Sequence, residues 1–126
     1  MKAKILVVDD ERAIRDFFSE TLREEGYEVL SAGGGDEASA MIREENVQIA
    51  ICDIKMPGMD GLELLRYIRD VSPETVVILV TAYASVETAV NALRSGAFDY
   101  FLKPLIFEDI ITKISRIDEY LKVKRE

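Results

Sequence analysis

Five short apolar runs recur along the chain, and between them the apolar positions change from consecutive to helical spacing. The runs are Lys4–Val8, Tyr27–Ala32, Ile49–Asp53, Thr75–Thr81 and Asp99–Leu102. The third and fourth are apolar through their middles, which is the pattern of strands covered on both faces. After the first run, Ile14, Phe17, Phe18 and Leu22 fall at spacings of three, one and four, which predicts a helix with those residues inward. Gly26 closes it as the residue after the C-cap. Past the second run lie Gly33, Gly34 and Gly35, then a helix capped by Asp36 that turns Ala38, Met41 and Ile42 inward. A third helix starts near Asp60, where Asp60 with Glu63 forms a capping-box pattern. Its inward face is Leu62, Leu65 and Ile68, or Leu64 and Ile68, and Ser72-Pro73 ends it. Ser85 caps a fourth helix carrying Val86, Ala89, Val90 and Leu93, and Gly96 stops it. The last helix runs from about Phe107 to about Leu121.

Strand and helix thus alternate five times with short connections. That alternation implies right-handed crossovers and a parallel sheet between two helical layers. The expected fold is a flavodoxin-like (βα)5 three-layer α/β sandwich with strand order 2-1-3-4-5 and a crevice between strands 1 and 3. A chain of 126 residues is one domain, here residues 1–121. Residues 122–126 read as a charged tail, frayed or the start of a connection to an output domain outside this chain. In the last helix, Ile110, Ile114, Ile117 and Leu121 recur at spacings of four, three and four. That stripe is either an a/d seam for a second copy of the chain or a face packed on its own domain. The expectation is the seam, with a homodimer through the fourth and fifth helices and with Ile106 and Ile111 facing the sheet.

Composition narrows the chemistry. With no histidine, imidazole acid–base catalysis and most zinc sites are excluded. A net charge of −8 repels a nucleic-acid backbone, so no direct nucleic-acid partner is expected. The single cysteine, Cys52, lies inside a buried run as a small core residue, so there is no disulfide framework. With no signal peptide and no apolar run of membrane-spanning length, a cytoplasmic protein without membrane partners is expected.

The strand order brings together what the strand ends carry. Asp9 and Asp10 follow the first strand and Asp53 ends the third. Two like charges about 4 Å apart repel by ~4 kcal/mol at an effective dielectric of about 20. Three ionised acids therefore call for a cation or for protons. Magnesium suits the set: Asp9, Asp10, Asp53 and the backbone carbonyl of Lys55, with waters left over for a phosphate-bearing partner. Thr81 ends the fourth strand and Lys103 follows the fifth, at the same edge. A carboxylate nucleophile, a cation, a hydroxyl and an ammonium suit a phosphoryl group, with Asp53 attacking to form an acyl phosphate. Singly, each residue has a plainer reading. Asp10 reads equally as an N-cap, Thr81 as a β-branched strand residue, Lys103 as a solvated strand end and Tyr100 as packing. Their coincidence at one sheet edge favours the site.

Those same residues carry a resemblance. Ile5 to Glu11, Asp53 to Gly61, Thr81-Ala82-Tyr83 and Gly96 to Pro104 jointly resemble the receiver domains of bacterial response regulators over essentially the whole chain. The stretches from Thr81 to Ala89 and from Gly96 to Pro104 are most similar to receivers of the nitrogen-regulatory, sigma-54-activator subfamily. The resemblance implies that Asp53 accepts a phosphoryl group from a histidine kinase, with Mg2+ held by Asp9, Asp10, Asp53 and the Lys55 carbonyl. It implies that Thr81, Ala82 and Lys103 contact the phosphoryl group, that Thr81 and Tyr100 form a coupled switch, and that the Lys103-Pro104 bond is cis. It also implies that the face of the fourth helix, fifth strand and fifth helix controls a C-terminal transcriptional output domain. Such a receiver is not a turnover enzyme. Three rivals share parts of this pattern. A stand-alone relay or adaptor receiver has the same site. A magnesium-dependent aspartyl phosphatase would carry an Asp-x-Asp pattern after its first strand. A flavin or nucleotide binder would need a glycine- or hydroxyl-rich loop where this chain has Asp9, Asp10 and Glu11.

Overall fold

The computed structural model describes residues 2–82 and 85–125, apart from the side chains of Val86 and Arg125. Tyr83 and Ala84 of the resembling stretches, the inward placing of Val86 and the last tail residue, Glu126, lie outside the described residues. The elements alternate as expected: β1 (Lys4–Val8), α1 (Arg12–Glu24), β2 (Glu28–Ala32), α2 (Gly35–Glu44), β3 (Ile49–Asp53), α3 (Gly61–Val71), β4 (Val76–Thr81), α4 (Val86–Arg94), β5 (Asp99–Leu102) and α5 (Phe107–Arg125). The five strands form one parallel sheet in the order β2-β1-β3-β4-β5.

Side chains leave a strand alternately to its two faces, and each face here builds its own core. Leu6, Val8, Ala50, Cys52, Val77 and Leu79 meet Ala38, Ile42, Leu64, Leu65, Ile68 and Ala92 from α2, α3 and α4. Ile5, Val7, Ile49, Ile51, Ile78 and Val80 meet Phe18, Leu22, Ile110, Ile114 and Ile117 from α1 and α5. Both faces being covered explains why the central strands are apolar without alternation.

Several local expectations are corrected. Ile110 and Ile114 are fully buried, Ile117 nearly so, and Leu121 packs on the same cluster. The stripe on α5 therefore faces its own sheet and is not an open seam for a second copy. Ile106, expected to face the sheet, is 66% exposed. The helix also continues through the residues read as a tail. Lys122 reaches Asp118 one turn back at 3.5 Å, and the Lys124 ammonium lies 5.7 Å from the Tyr120 ring. On α1, Phe17 is 56% exposed while Phe18, Ser19 and Leu22 are inside. On α3 the buried face is Leu64, Leu65 and Ile68, with Leu62 at its margin. Among the described side chains of α4, Ala92 is buried, whereas Val90 and Leu93 face out.

The N-caps divide. Asp60 accepts from the Glu63 amide at 2.9 Å and Ser85 from the Thr88 amide at 3.0 Å, as expected. The N-cap of α2 is Gly34, which leaves Asp36 in the first turn, where its charge still complements the helix dipole. That of α1 is Glu11 rather than Asp10. Gly26 and Gly96 end their helices at φ of 95° and 102°, a left-handed conformation that favours glycine.

Candidate functional site

Parallel pairing aligns the C-terminal ends of β1, β3 and β4, with Val8 beside Cys52 and Asp53 beside Val80. Whatever follows those positions collects at one edge. Asp9 and Asp53 are nearly buried there and Asp10 is exposed. One carboxylate oxygen from each of the three lies within 4.8 Å of the other two. Lys103 reaches in after β5. Its Nζ stands 3.0 Å from Asp9 Oδ2 and 3.0 Å from Asp53 Oδ2. The remaining oxygens are held by the main chain: Glu11 N–H donates to Asp9 Oδ1 at 2.9 Å and Lys55 N–H to Asp53 Oδ1 at 3.2 Å. Thr81 is fully buried at the end of β4, and its carbonyl accepts the Lys103 N–H at 2.9 Å. The Lys103-Pro104 peptide is cis.

The electrostatics follow from burial. Desolvation raises the Asp53 pKa above the ordinary aspartate value, and the Asp9 charge adds to it; the hydrogen bond and charge of Lys103 and the Lys55 amide only partly offset them. Burial by itself would lower the Lys103 pKa. The hydrogen bonds and charges of Asp9 and Asp53 together outweigh it, so the ammonium is held above its usual value. Three carboxylates facing one ammonium leave two negative charges without a counter-charge among these four groups. An all-oxygen donor set with that deficit fits a hard divalent cation. Cys52, one residue before Asp53, is fully buried, and burial pushes its thiol up to about 12, so it takes no part.

Asp53 gives a stability prediction with a definite sign. A carboxyl whose folded pKa lies above its unfolded one loses stability as the pH climbs through the folded value. In chelator at pH 7, Asp53→Asn is therefore expected to be more stable than the unmodified chain. The gap should close as the pH falls to the ordinary aspartate range, where the acid is protonated folded or unfolded. Urea melts across that range check it, and a less stable variant at pH 7 contradicts it.

Two features escaped the sequence reading. An apolar groove of about 490 Å3 opens beside Lys103, lined by Ala13, Ile14, Phe17, Ala82, Pro104 and Phe107. The Phe107 ring meets Phe17 edge-on at 4.8 Å, and Phe18 at 5.1 Å, which holds Phe17 at the rim. The Tyr100 ring packs against the core on the α2, α3 and α4 side, as its plainer reading expects, and what the sequence does not disclose is the state of its hydroxyl. Its hydroxyl is buried without a hydrogen-bond partner among the described residues, and burial raises its pKa.

The (βα)5 sheet thus carries an acid trio and a lysine together at its C-terminal edge. The family model for the response regulator receiver domain matches residues 5–115, and the chain belongs to that family, the receivers of two-component systems. It is 43% identical over 111 residues to the transcriptional regulatory protein ZraR of Klebsiella oxytoca, covering 88% of this chain and 25% of that protein. It is 39% identical over 123 residues to the regulatory protein AtoC of Escherichia coli, covering 98% and 27%. A receiver domain protein from Methanospirillum hungatei superposes with a TM-score of 0.91 at 41% identity, covering 97% of this chain and 98% of that one. NtrX from Brucella abortus does so with a TM-score of 0.89 at 39% identity, covering 99% and 29%. The leaning toward the nitrogen-regulatory subfamily holds with these relatives. The chain spans about a quarter of the length of the curated relatives it matches. No helix among the described residues is long and apolar enough to cross a membrane.

Proposed function

We propose that Asp53 is the phosphoacceptor and that its donor is a phosphohistidine on a separate kinase, since this chain has no histidine of its own. The observation that carries this is Lys103 Nζ at 3.0 Å from both Asp53 and Asp9 at the mouth of the sheet. An Asp53 carboxylate oxygen attacks phosphorus, the nitrogen–phosphorus bond of the donor breaks, and its electron pair returns to the imidazole. Asp9, Asp10, Asp53 and the Lys55 carbonyl would hold Mg2+, which when bound supplies positive charge against the phosphoryl oxygens. Lys103 passes from its two carboxylates to a phosphoryl oxygen. The Thr81 hydroxyl and the Ala82 main chain take the others. The groove at Phe17 and Phe107 gives a protein donor an apolar seat beside Lys103.

Drawing Thr81 toward the new oxygens changes what the Tyr100 ring packs against, a two-state element biased by local charge. Moving it from 1:99 to 99:1 takes ~5.5 kcal/mol, within reach of a few charge-assisted hydrogen bonds at about 1.5–3 kcal/mol each. The face that reads the change is α4, β5 and α5, where Leu93, Phe98 and Leu102 stand exposed. Its target is a transcriptional output domain in the parent chain, as the length of the relatives and the name of ZraR suggest. The test is labelling by a small acyl phosphate with Mg2+. One phosphoryl group per chain is expected, and none in Asp53→Asn. Labelling that survives Asp53→Asn, or steady turnover of a phosphomonoester, rejects the assignment.

A further inference from the structure

Arg15 takes no part in the proposed phosphoryl transfer. It lies in the first turn of α1, half-buried, and its Nη1 donates to the main-chain carbonyl of Asp9 at 2.8 Å. Asp9 is fixed at every other polar group as well. Its N–H donates to the Ala32 carbonyl at 3.2 Å, Oδ1 accepts from Glu11 N–H, and Oδ2 accepts from Lys103. Only the carbonyl depends on a side chain arriving from α1. That carbonyl lies in the peptide plane joining Asp9 to Asp10, and a peptide is planar. Orienting it therefore orients the bond from which Asp10, the exposed member of the trio, projects.

The fold leaves room for this contact. A Cβ on Gly33 would stand 3.2 Å from Arg15 Nη1 and 3.7 Å from its Cζ. Gly33 is not among the glycines with positive φ, so what glycine provides there is space and not a special backbone. The loop after β2 thus leaves the space through which the Arg15 guanidinium reaches the Asp9 carbonyl.

We propose that Arg15 is a positioning residue for cation binding, clamping the Asp9–Asp10 peptide so that both carboxylates face one divalent ion. This rests on the reading of Asp9, Asp10 and Asp53 as a magnesium site. As a bare charge, a guanidinium near the site would repel the ion and weaken binding. As a clamp it strengthens binding. The sign of the effect separates the two.

The experiment is calorimetric titration of magnesium chloride into the unmodified chain, Arg15→Met, Arg15→Lys and Gly33→Ala, with urea melts of each in chelator. Outer partners of metal ligands typically govern affinity by roughly 10- to 100-fold. Arg15→Met should therefore bind Mg2+ about 10-fold more weakly. Arg15→Lys, which keeps a donor, should recover part of that, and Gly33→Ala should weaken binding in the same direction. Affinity in Arg15→Met that is unchanged or tighter overturns the clamp. If that variant does not fold, unchanged affinity in Gly33→Ala overturns it. An unmodified chain that takes up no Mg2+ overturns the magnesium site itself, and the clamp with it.

Discussion

Replacing Lys103 by methionine is expected to lower stability by about 3 kcal/mol at pH 7 in chelator. Removing one partner of a buried ion pair leaves the other uncompensated, which typically destabilises by roughly 3–5 kcal/mol. Here two carboxylates lose the same ammonium, both nearly buried and both 3.0 Å from it. The lower end of the range is expected because the pocket opens at Asp10, which lies exposed. The loss should depend on pH. Lys103 is what holds the Asp53 pKa down against desolvation. Without it the folded-state pKa rises further, and stability drains away as the pH climbs through that higher value. The deficit is thus largest at neutral pH and shrinks toward the ordinary aspartate range. Magnesium should restore much of it, since a ligand at 100 times its Kd adds about 2.7 kcal/mol to a folded state that alone binds it. Urea melts with and without Mg2+ at pH 4 and pH 7 decide the matter. A variant as stable as the unmodified chain at pH 7 in chelator would show that the ammonium is not the counter-charge of the pocket.

How much of this was legible beforehand depends on the range of the interaction. Strands were readable from consecutive apolar runs, and the sheet order from their alternation with helices. Once that order is granted, Asp9, Asp10, Asp53, Thr81 and Lys103 converge because each sits at a strand's C-terminal end. What the chain did not disclose depends on contacts far apart in sequence. The spacing of Ile110, Ile114 and Ile117 is the same whether a helix packs on a sheet or on a twin, and only the neighbouring Phe18 and Leu22 decide it. Phe17 satisfies the helical period of α1 but falls where Phe107 holds it at the surface. On α4 the small Ala92 is buried and the larger Leu93 is not, an inversion that hydrophobicity cannot rank. Asp118 looks like any acid on an amphipathic helix. It is buried because the Ala3 N–H donates to it at 2.9 Å from the start of β1. In the sequence Lys103 is a group for the phosphoryl oxygens. Its partnership here, bridging Asp9 and Asp53, arises only where three strand ends meet.

Gly61→Ala is expected to damage folding and phosphoryl acceptance together, because the first residue of α3 lies directly against the end of β3. A Cβ there would overlap the Asp53 carbonyl oxygen and stand 2.7 Å from Ile54 Cα. Both obstacles are backbone, so no side-chain rotation relieves them. The Gly61 N–H also donates to the Ile54 carbonyl at 2.9 Å, so the junction cannot open without losing that bond. Overpacking typically costs about 1–3 kcal/mol, and a backbone clash belongs near 3. The relaxation left to the chain is to shift α3 away from β3, which moves Asp53 and the loop bearing Lys55. A displacement of about 1 Å at a reacting group can slow chemistry by roughly 100-fold. Labelling of folded Gly61→Ala by a small acyl phosphate, at saturating Mg2+ and low temperature, should fall by about that factor. Gly34→Ala supplies the contrast, since a Cβ there meets nothing within 4 Å and the backbone is extended at φ −172°. As a change at a helix N-cap it should cost about 1 kcal/mol or less and leave labelling near the unmodified rate. Equal labelling rates in the two variants would mean that the approach of α3 to β3 does not set the position of Asp53.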